Sequence, residues 1–112
     1  MRSSLALWTS LALADAGGHS IYRFIGDEAG TPATDPVSTC TTNGCRQAWP
    51  VVALTSVKAV SSMTGDFAVF IRPDTSEIQL AYRGLPLYYF AQDLAPGDLK
   101  GVGKPSWLLA AP

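Results

Sequence analysis

Two copies of one short pattern, Tyr-x-Phe-x-x-Asp, bring groups that can take part in chemistry to matching positions. The copies are Tyr22, Phe24 and Asp27, and then Tyr88, Tyr89, Phe90 and Asp93. A carboxylate that follows a strand can accept backbone N–H bonds in a turn, and it can also accept the proton of a tyrosine hydroxyl. Acid–base catalysis would need two such groups to converge on a substrate. The favoured interpretation is therefore that Asp27 and Asp93 cap turns, and the same holds for Asp66 and Asp74.

The tyrosines of the chain have two possible roles. They could line an aromatic ligand slot between the two copies, with Asp27, Asp93 or Arg83 supplying polar groups. Aromatic side chains on strands more often build a core, which is the favoured interpretation. The residues concerned are Tyr22, Tyr82, Tyr88 and Tyr89.

Cys40 and Cys45 have three possible roles, which are a disulfide, a metal pair and a redox couple. A closed zinc site needs four ligands, and the chain adds only one histidine, His19, to its two cysteines. A redox pair usually has Cys-x-x-Cys spacing, whereas four residues separate these cysteines. The disulfide is favoured, and nothing brings His19 together with Met1 or Met63 in a copper or haem site. We therefore predict no metal and no cofactor.

Composition narrows the class of protein. The chain of 112 residues fits one domain, 1–112. Its composition is typical of a globular protein rich in turns, because 47% of the residues are hydrophobic and 15% are charged, and it has ten glycines and eight prolines. A formal net charge of −1 gives no basic field for nucleic acid. No apolar run approaches the roughly 20 residues of a membrane-spanning helix. No local signature of an enzyme class is present, so no enzymatic activity is predicted.

The elements that must position the motif are short strands. Alternating residues predict strands near 67–72 and 77–83, and the second is expected to have one buried and one solvent-exposed face. A third strand is predicted at 85–90, and the three together make an antiparallel meander. The first motif copy is expected on the return strand of a hairpin from Leu11–Ala14, with Arg23 facing outward; the same N-terminal residues also resemble a short secretory signal. A further short strand is expected within Val51–Val60.

Between the two motif copies the sequence predicts irregular structure. A long loop covers Glu28–Thr42, Asn43-Gly44 favours a sharp turn between the cysteines, and Arg46–Trp49 forms one helical turn before Pro50. Trp49 and Trp107 are predicted core anchors. The predicted fold is all-β and mainly antiparallel, with two related β-hairpin repeats at about 5–50 and 66–109, a disulfide-pinned loop and at most one short helix.

The order of these motifs resembles a bacterial family of secreted repeats, usually described as predicted lipoproteins with a Tyr-x-aromatic-x-x-Asp motif. The resemblance rests on both motif copies, on the cysteine pair followed by Trp49-Pro50, and on Gly65-Asp66-Phe67 with Arg72-Pro73-Asp74. It implies an extracytoplasmic domain of two related repeats, in the periplasm or at the cell surface, with no established activity. The chain departs from the family in its cysteine spacing, in Arg46 after the second cysteine, and in having no cysteine before Cys40 that could carry a lipid.

Two functional hypotheses from different classes follow. The first is a non-catalytic extracytoplasmic interaction domain, a small accessory subunit with a protein partner in a membrane-associated or cell-surface complex. Its partner surface is expected near Arg23 and the loop pinned by Cys40 and Cys45. The second is a module that binds a small molecule or redox cofactor in an aromatic pocket between the repeats.

Overall fold

The computed structural model describes residues 13–15, 17–31, 33–53 and 67–111. Its elements, in chain order, are β1 (Tyr22–Phe24), α1 (Asn43–Ala48), β2 (Phe67–Ile71), β3 (Ile78–Tyr82), β4 (Leu85–Pro86) and β5 (Trp107–Leu109). β1 pairs with β5, β3 lies between β2 and β4, and every pairing is antiparallel. The predicted all-β fold with one short helix is confirmed. Among the described residues, no helix has the length and apolar character needed to cross a membrane.

The strands β2, β3 and β4 form the meander that the alternating sequence predicts, and Ile71 lies opposite Ile78 in its register. The prediction of a wet face on β3 is wrong, because Gln79 is completely buried. Its Nε2 donates a hydrogen bond to the carbonyl oxygen of Leu87 at 2.9 Å. An amide can occupy a core when a hydrogen bond replaces its lost hydration, so alternation with a polar residue does not by itself indicate exposure.

Isolated bridges connect the two sheets through the second motif copy. Tyr88 bridges Tyr22 on one side and Val51 on the other, and Ala53 bridges Gln79 of β3. The Tyr22 and Tyr88 backbones exchange two N–H···O bonds, at 2.8 and 2.9 Å. β3 therefore pairs with β4 at its end and with the segment at 51–53 at Gln79, and the segment around Tyr88, just after β4, joins 51–53 to β1 and β5. Tyr88 lies in the middle of these paired segments, as the apolar residues on both sides of its segment predict.

A tight hairpin precedes β1. Ala14 bridges Ser20, and the Leu13 backbone donates to the carbonyl oxygen of Ala110, which ties the hairpin to the end of β5. The first two residues of the predicted strand at Leu11–Ala14 lie outside the described residues. So do Asp66 and the later part of the strand predicted within Val51–Val60.

The helix α1 begins where the sequence predicts a sharp turn. The Thr42 hydroxyl accepts a hydrogen bond from the Cys45 backbone N–H at 3.1 Å, and this cap starts a helix at the Asn43-Gly44 pair rather than at Arg46. The predicted turn at Asn43-Gly44 is therefore wrong. The predicted disulfide between Cys40 and Cys45 is confirmed, with a Cα–Cα distance of 5.4 Å. It joins α1 to the chain that precedes it.

The long loop before α1 is held by its own backbone pairing and by the meander. Glu28 and Val37 exchange two backbone hydrogen bonds at 3.0 Å. Gly30 donates to the carbonyl oxygen of Gly84 at 2.8 Å, and Gly84 has a φ of 81°. A Cβ at Gly84 would lie 2.4 Å from the Gly30 oxygen, so the close approach of the two backbones requires glycine there.

Two apolar clusters make the core. The first contains Leu13, Ile21, Val52, Leu80, Tyr82, Leu87 and Ala110, and the second contains Tyr22, Cys40, Trp49, Tyr88, Phe90 and Trp107. In the second cluster the Trp49 and Trp107 rings are stacked, with centroids 3.7 Å apart and planes inclined by 5°. The aromatic cluster thus lies where β1, β5, α1 and the second motif copy meet.

Candidate functional site

The two motif copies exchange hydrogen bonds between tyrosine hydroxyls and aspartate carboxylates. The Tyr22 hydroxyl donates to Asp93 Oδ2 at 2.6 Å, and the Tyr88 hydroxyl donates to Asp27 Oδ2 at 2.7 Å. Because Tyr22 and Tyr88 are also backbone partners, the arrangement has approximate two-fold symmetry about their bridge. Each tyrosine therefore contacts the carboxylate of the other copy, and we call these four residues the Tyr–Asp exchange.

The second oxygen of each carboxylate holds a loop. Asp27 Oδ1 accepts the backbone N–H of Thr39 at 2.7 Å and the Thr39 hydroxyl at 3.0 Å. Asp93 Oδ1 accepts the backbone N–H of Lys100 at 2.8 Å. The carboxylates accept backbone N–H groups, as the sequence predicts, but from residues 12 and 7 positions further along the chain. Each aspartate thus fixes the far end of the loop that follows its own motif.

Burial sets the protonation of the Tyr–Asp exchange. Burial raises the pKa of Tyr88 far above its usual range, and the neighbouring Asp27 carboxylate raises it further. Burial and the hydrogen bond to Asp93 likewise raise the pKa of Tyr22. Both hydroxyls therefore remain protonated donors at neutral pH, where they bind carboxylates and do not act as bases.

Removing either exchanged hydroxyl is expected to destabilise the fold. Tyr22→Phe and Tyr88→Phe should each lower the free energy of unfolding by about 1 to 2 kcal/mol, because each leaves a carboxylate oxygen without its donor. Urea titration monitored by circular dichroism measures the loss. Tyr82→Phe is the matched control, because Tyr82 is also buried but donates no hydrogen bond among the described residues. A Tyr82→Phe loss as large as the other two would contradict the role given to the exchange.

Asp27 is expected to make stability depend on pH. Burial raises the pKa of this carboxyl in the folded state, although bonds from Thr39 and Tyr88 oppose the shift. The folded state therefore holds the proton more tightly than the unfolded chain, whose pKa is near 3.8. The stabilisation from this group is complete below that value and is lost as the pH rises through the folded pKa.

Asp27→Asn should remove this loss, so that the free energy of unfolding falls less steeply as the pH rises above 3.8. Urea titrations at several pH values measure the slope. Asp35→Asn, at an exposed position of the neighbouring loop, should retain the slope of the parent protein. An unchanged slope in Asp27→Asn would show that this carboxyl does not titrate as described.

Arg72 forms a second polar centre, at the end of β2. Its side chain is completely buried, and Nε and Nη2 donate to the two Asp74 carboxylate oxygens at 2.9 and 2.8 Å. Nη2 also donates to the Cys40 carbonyl oxygen at 2.7 Å. The hydrogen bonds from Arg72 hold the pKa of the Asp74 carboxyl below its usual range. The Arg-Pro-Asp turn thus attaches the disulfide loop to the meander.

Tyr89 does not take part in the Tyr–Asp exchange but contacts the N-terminal hairpin turn. Its hydroxyl donates to Asp15 Oδ2 at 3.0 Å, and it borders a cavity of about 290 Å³. The cavity is lined by Asp15, His19, Ser20, Tyr89, Phe90 and Asp93. The structure therefore joins part of the second motif copy to the N-terminal hairpin turn. Of the three polar pocket groups that the sequence predicts, Asp93 lines this cavity, whereas Asp27 and Arg83 do not.

The space between the two motif copies is filled with rings. Phe24 stacks on Trp107 with centroids 4.6 Å apart, and Phe90 stacks on Trp49 with centroids 4.3 Å apart. Within the described ranges, no three histidine, cysteine, aspartate or glutamate side chains are arranged to hold a metal ion. The aromatic residues of the motif thus build a core in this part of the chain.

Sequence reasoning missed the buried role of Arg72 and treated Asp74 as a turn residue. The strand period places Arg72 on the same face as Ala68 and Phe70, but Ala68 is exposed and Phe70 is buried, so the period alone does not indicate whether Arg72 is buried. The cavity residues Asp15 and Ser20 were also missed. No pattern in the sequence indicates that the hairpin turn approaches the second motif copy.

Comparisons with known proteins give one match. No curated protein and no solved structure matches the chain. Residues 70–110 match a family model described as a secreted repeat of unknown function, and that description supports an extracytoplasmic location. The single domain at 1–112 and its two repeats remain a prediction. The matched residues contain the end of β2, all of β3 and β4, the second motif copy and β5, and their match to this secreted repeat confirms the resemblance over residues 70–110.

Proposed function

We propose that the protein is a non-catalytic interaction domain outside the cytoplasm, acting as a small accessory subunit of a membrane-associated or cell-surface assembly. The observation that carries this proposal is an aliphatic patch on the β2–β3 hairpin. It consists of Val69, Ile71 and Ile78, and we call it the hairpin patch. All three side chains are exposed, and Ile71 is 62% exposed.

The register of the hairpin makes the patch continuous. Ile71 lies directly opposite Ile78, and Val69 lies two residues before Ile71 on the same face. Isolated exposed aliphatic residues are ordinary on protein surfaces, whereas contiguous apolar patches are typical of contact sites. Burial of such a patch by a partner removes apolar area from water, so the surface favours association.

The polar residues of the motif support a non-catalytic role. Each carboxylate of the Tyr–Asp exchange binds a tyrosine hydroxyl and a backbone N–H group. Catalytic acids and bases must contact a substrate in a site that it can enter. Because Tyr22 and Tyr88 are completely buried and their hydroxyls are donors to carboxylates, this centre acts as an architectural joint.

The assembly can be tested in the cells that produce the protein. A tagged chain extracted gently from the cell envelope should elute from a sizing column well above its 11.9 kDa mass. Ile71→Asp should shift it toward the free chain, because a charge in the centre of an apolar contact must be desolvated. Val37→Asp, at an exposed valine of the long loop, tests the other surface, which the sequence predicts, and should leave elution unchanged if the hairpin patch makes the contact. Elution of the parent protein as the free chain would overturn the proposal.

A second candidate function is binding of a small molecule at the cavity beside Tyr89. It is supported by the convergence of the Tyr89 and Phe90 rings with the Asp15 and Asp93 carboxylates around about 290 Å³. This size lies near the lower end for ligand pockets, so it suits a small molecule better than a large redox cofactor. A thermal-shift screen of metabolites should find a stabilising ligand whose effect Tyr89→Ala abolishes. Shifts that Tyr89→Ala leaves unchanged would exclude this cavity as the site.

A further inference from the structure

We infer that the loop between the second motif copy and β5 docks on an anionic lipid surface. The residues that would make contact are Leu94, Leu99, Lys100, Val102 and Lys104, and we call them the docking loop. This surface is separate from the hairpin patch, since it lies on the connection to β5 and not on β2 or β3. The inference goes beyond the proposed function, because it assigns a lipid contact that needs no protein partner.

The apolar part of the docking loop is unusually exposed. Leu94 is 80% exposed, and Leu99 and Val102 are each more than half exposed. Three large aliphatic side chains therefore lie in water within nine residues of sequence. Side chains of this kind at a membrane surface enter the boundary between headgroups and acyl chains, which removes them from water.

The lysine side chains of the loop are exposed, whereas its aspartate side chains are partly buried and bound to the backbone. Lys100 and Lys104 are both exposed, and the Lys104 ammonium lies 5.9 Å from the centre of the Phe90 ring. The two acidic residues of the loop are partly buried and accept backbone N–H groups, Asp93 from Lys100 at 2.8 Å and Asp98 from Ala95 at 3.0 Å. The loop therefore presents cations beside aliphatic side chains, which complements the negative surface of an anionic bilayer.

The backbone of the docking loop is anchored at Gly101, although the side chains on either side of it are exposed. Gly101 is buried, its N–H donates to the Tyr22 hydroxyl at 3.2 Å, and a Cβ there would lie 2.7 Å from the Tyr22 ring. Backbone turns close at Asp98 to Ala95 and at Val102 to Leu99. The loop is thus held in one conformation before it meets a surface, which limits the conformational entropy lost on docking.

The loop that follows the first motif copy has different chemistry. Residues 28–38 contain Glu28 and Asp35 and no lysine or arginine. Their one exposed large aliphatic residue in the described part is Val37. Of the two loops that follow the motif copies, the second therefore combines exposed aliphatic with cationic residues in its described part, and it is the one expected to meet the membrane.

The test uses the purified full chain and sedimentation with lipid vesicles. The protein should sediment with vesicles of phosphatidylcholine and phosphatidylglycerol at 7:3, and not with phosphatidylcholine alone, in 0.1 M NaCl. Raising NaCl to 0.5 M should weaken binding, because screening shortens the range of the lysine charges. Lys100→Gln and Lys104→Gln should each weaken it about five-fold. Leu94→Ser and Leu99→Ser should each weaken it by about ten-fold.

The matched control is Ile71→Ser, which removes an exposed aliphatic residue from the hairpin patch and should leave vesicle binding unchanged. Circular dichroism and thermal unfolding confirm that each variant is folded, since all five positions are exposed. Equal binding to both vesicle types, or no binding to either, would overturn the inference. So would a loss of binding in Ile71→Ser as large as that in Leu94→Ser. None of these results depends on whether the cell-envelope assembly is found.

Discussion

Replacing Asp74 with alanine is expected to lower the free energy of unfolding by about 3 kcal/mol, because it leaves the buried Arg72 charge without its partner. The Arg72 side chain is completely buried, and its two shortest contacts with a carboxylate are both to Asp74. After the change, the guanidinium would retain the Cys40 carbonyl oxygen as its only described acceptor. The dipole of the Cys40 carbonyl group does not neutralise the buried Arg72 charge as a carboxylate does. The loss of stability should therefore exceed that from breaking an exposed ion pair.

Urea titration monitored by tryptophan fluorescence measures this loss. Asp35→Ala is the matched control, since it removes an exposed carboxylate from a nearby loop and should change the free energy by less than about 0.5 kcal/mol. Asp74→Asn should fall between the two, because it retains an oxygen acceptor and loses the charge. Equal, small losses in Asp74→Ala and Asp35→Ala would show that water or another group compensates Arg72.

A double variant separates the charge from the packing. Arg72→Met with Asp74→Asn removes both charges and keeps a long apolar side chain in the buried position. Replacement of a buried ion pair by apolar residues of similar volume is often neutral or stabilising. We therefore expect the double variant to recover most of the stability that Asp74→Ala loses. A further loss in the double variant would show that the bond to the Cys40 carbonyl oxygen is the larger contribution.

The sequence predicted those parts of the fold that depend on neighbouring residues. Alternation over Phe67–Ile71 and Ile78–Tyr82 predicted two strands, and the turn residues between them predicted the hairpin. The disulfide was also predictable, because the chain has two cysteines and too few other ligands for a metal site. In each case the decisive information lies within a few residues of the element itself.

The contacts that define the candidate site could not be predicted in this way. Tyr22 and Asp93 are 71 residues apart, and Tyr88 and Asp27 are 61 residues apart. The repeated spacing predicted that each aspartate follows its own strand, but the spacing contains no information about which tyrosine a carboxylate meets. The exchange depends on the bridge between Tyr22 and Tyr88, which arises only when the sheets assemble.

The burial of Gln79 and Arg72 shows where the strand pattern is ambiguous. Both residues lie on the same face as Phe70, because Gln79 is paired with Phe70 and Arg72 follows it by two. A polar side chain at such a position indicates either a wet face or a buried group with a fixed partner. The partners, the Leu87 carbonyl oxygen for Gln79 and Asp74 for Arg72, decide between the two, and only the latter lies close in sequence.

The aromatic cluster gives the other large expected effect. Trp107→Ala is expected to lower the free energy of unfolding by about 4 kcal/mol, because it opens a cavity among rings that cannot move together without breaking the sheet. Trp107 stacks on Trp49 and on Phe24, and its ring also meets the edge of Tyr88 at 5.1 Å. Its ring therefore contacts both motif copies and the residue at the helix end.

A smaller substitution at Trp107 and a substitution at the next residue test whether the loss of stability comes from the Trp107 ring. Trp107→Phe should lose less, about 1 to 2 kcal/mol, because a smaller ring keeps part of the stack. Leu108→Ala is the matched control, since the next residue of β5 faces solvent and should change the free energy by less than about 0.5 kcal/mol. In folded Trp107→Ala, the combined fluorescence of Trp8 and Trp49 should shift to longer wavelength as water reaches the uncovered face of Trp49. A loss in Leu108→Ala comparable to that in Trp107→Ala would mean that β5 contributes through its backbone pairing, and that the tryptophan stack does not hold the two motif copies together.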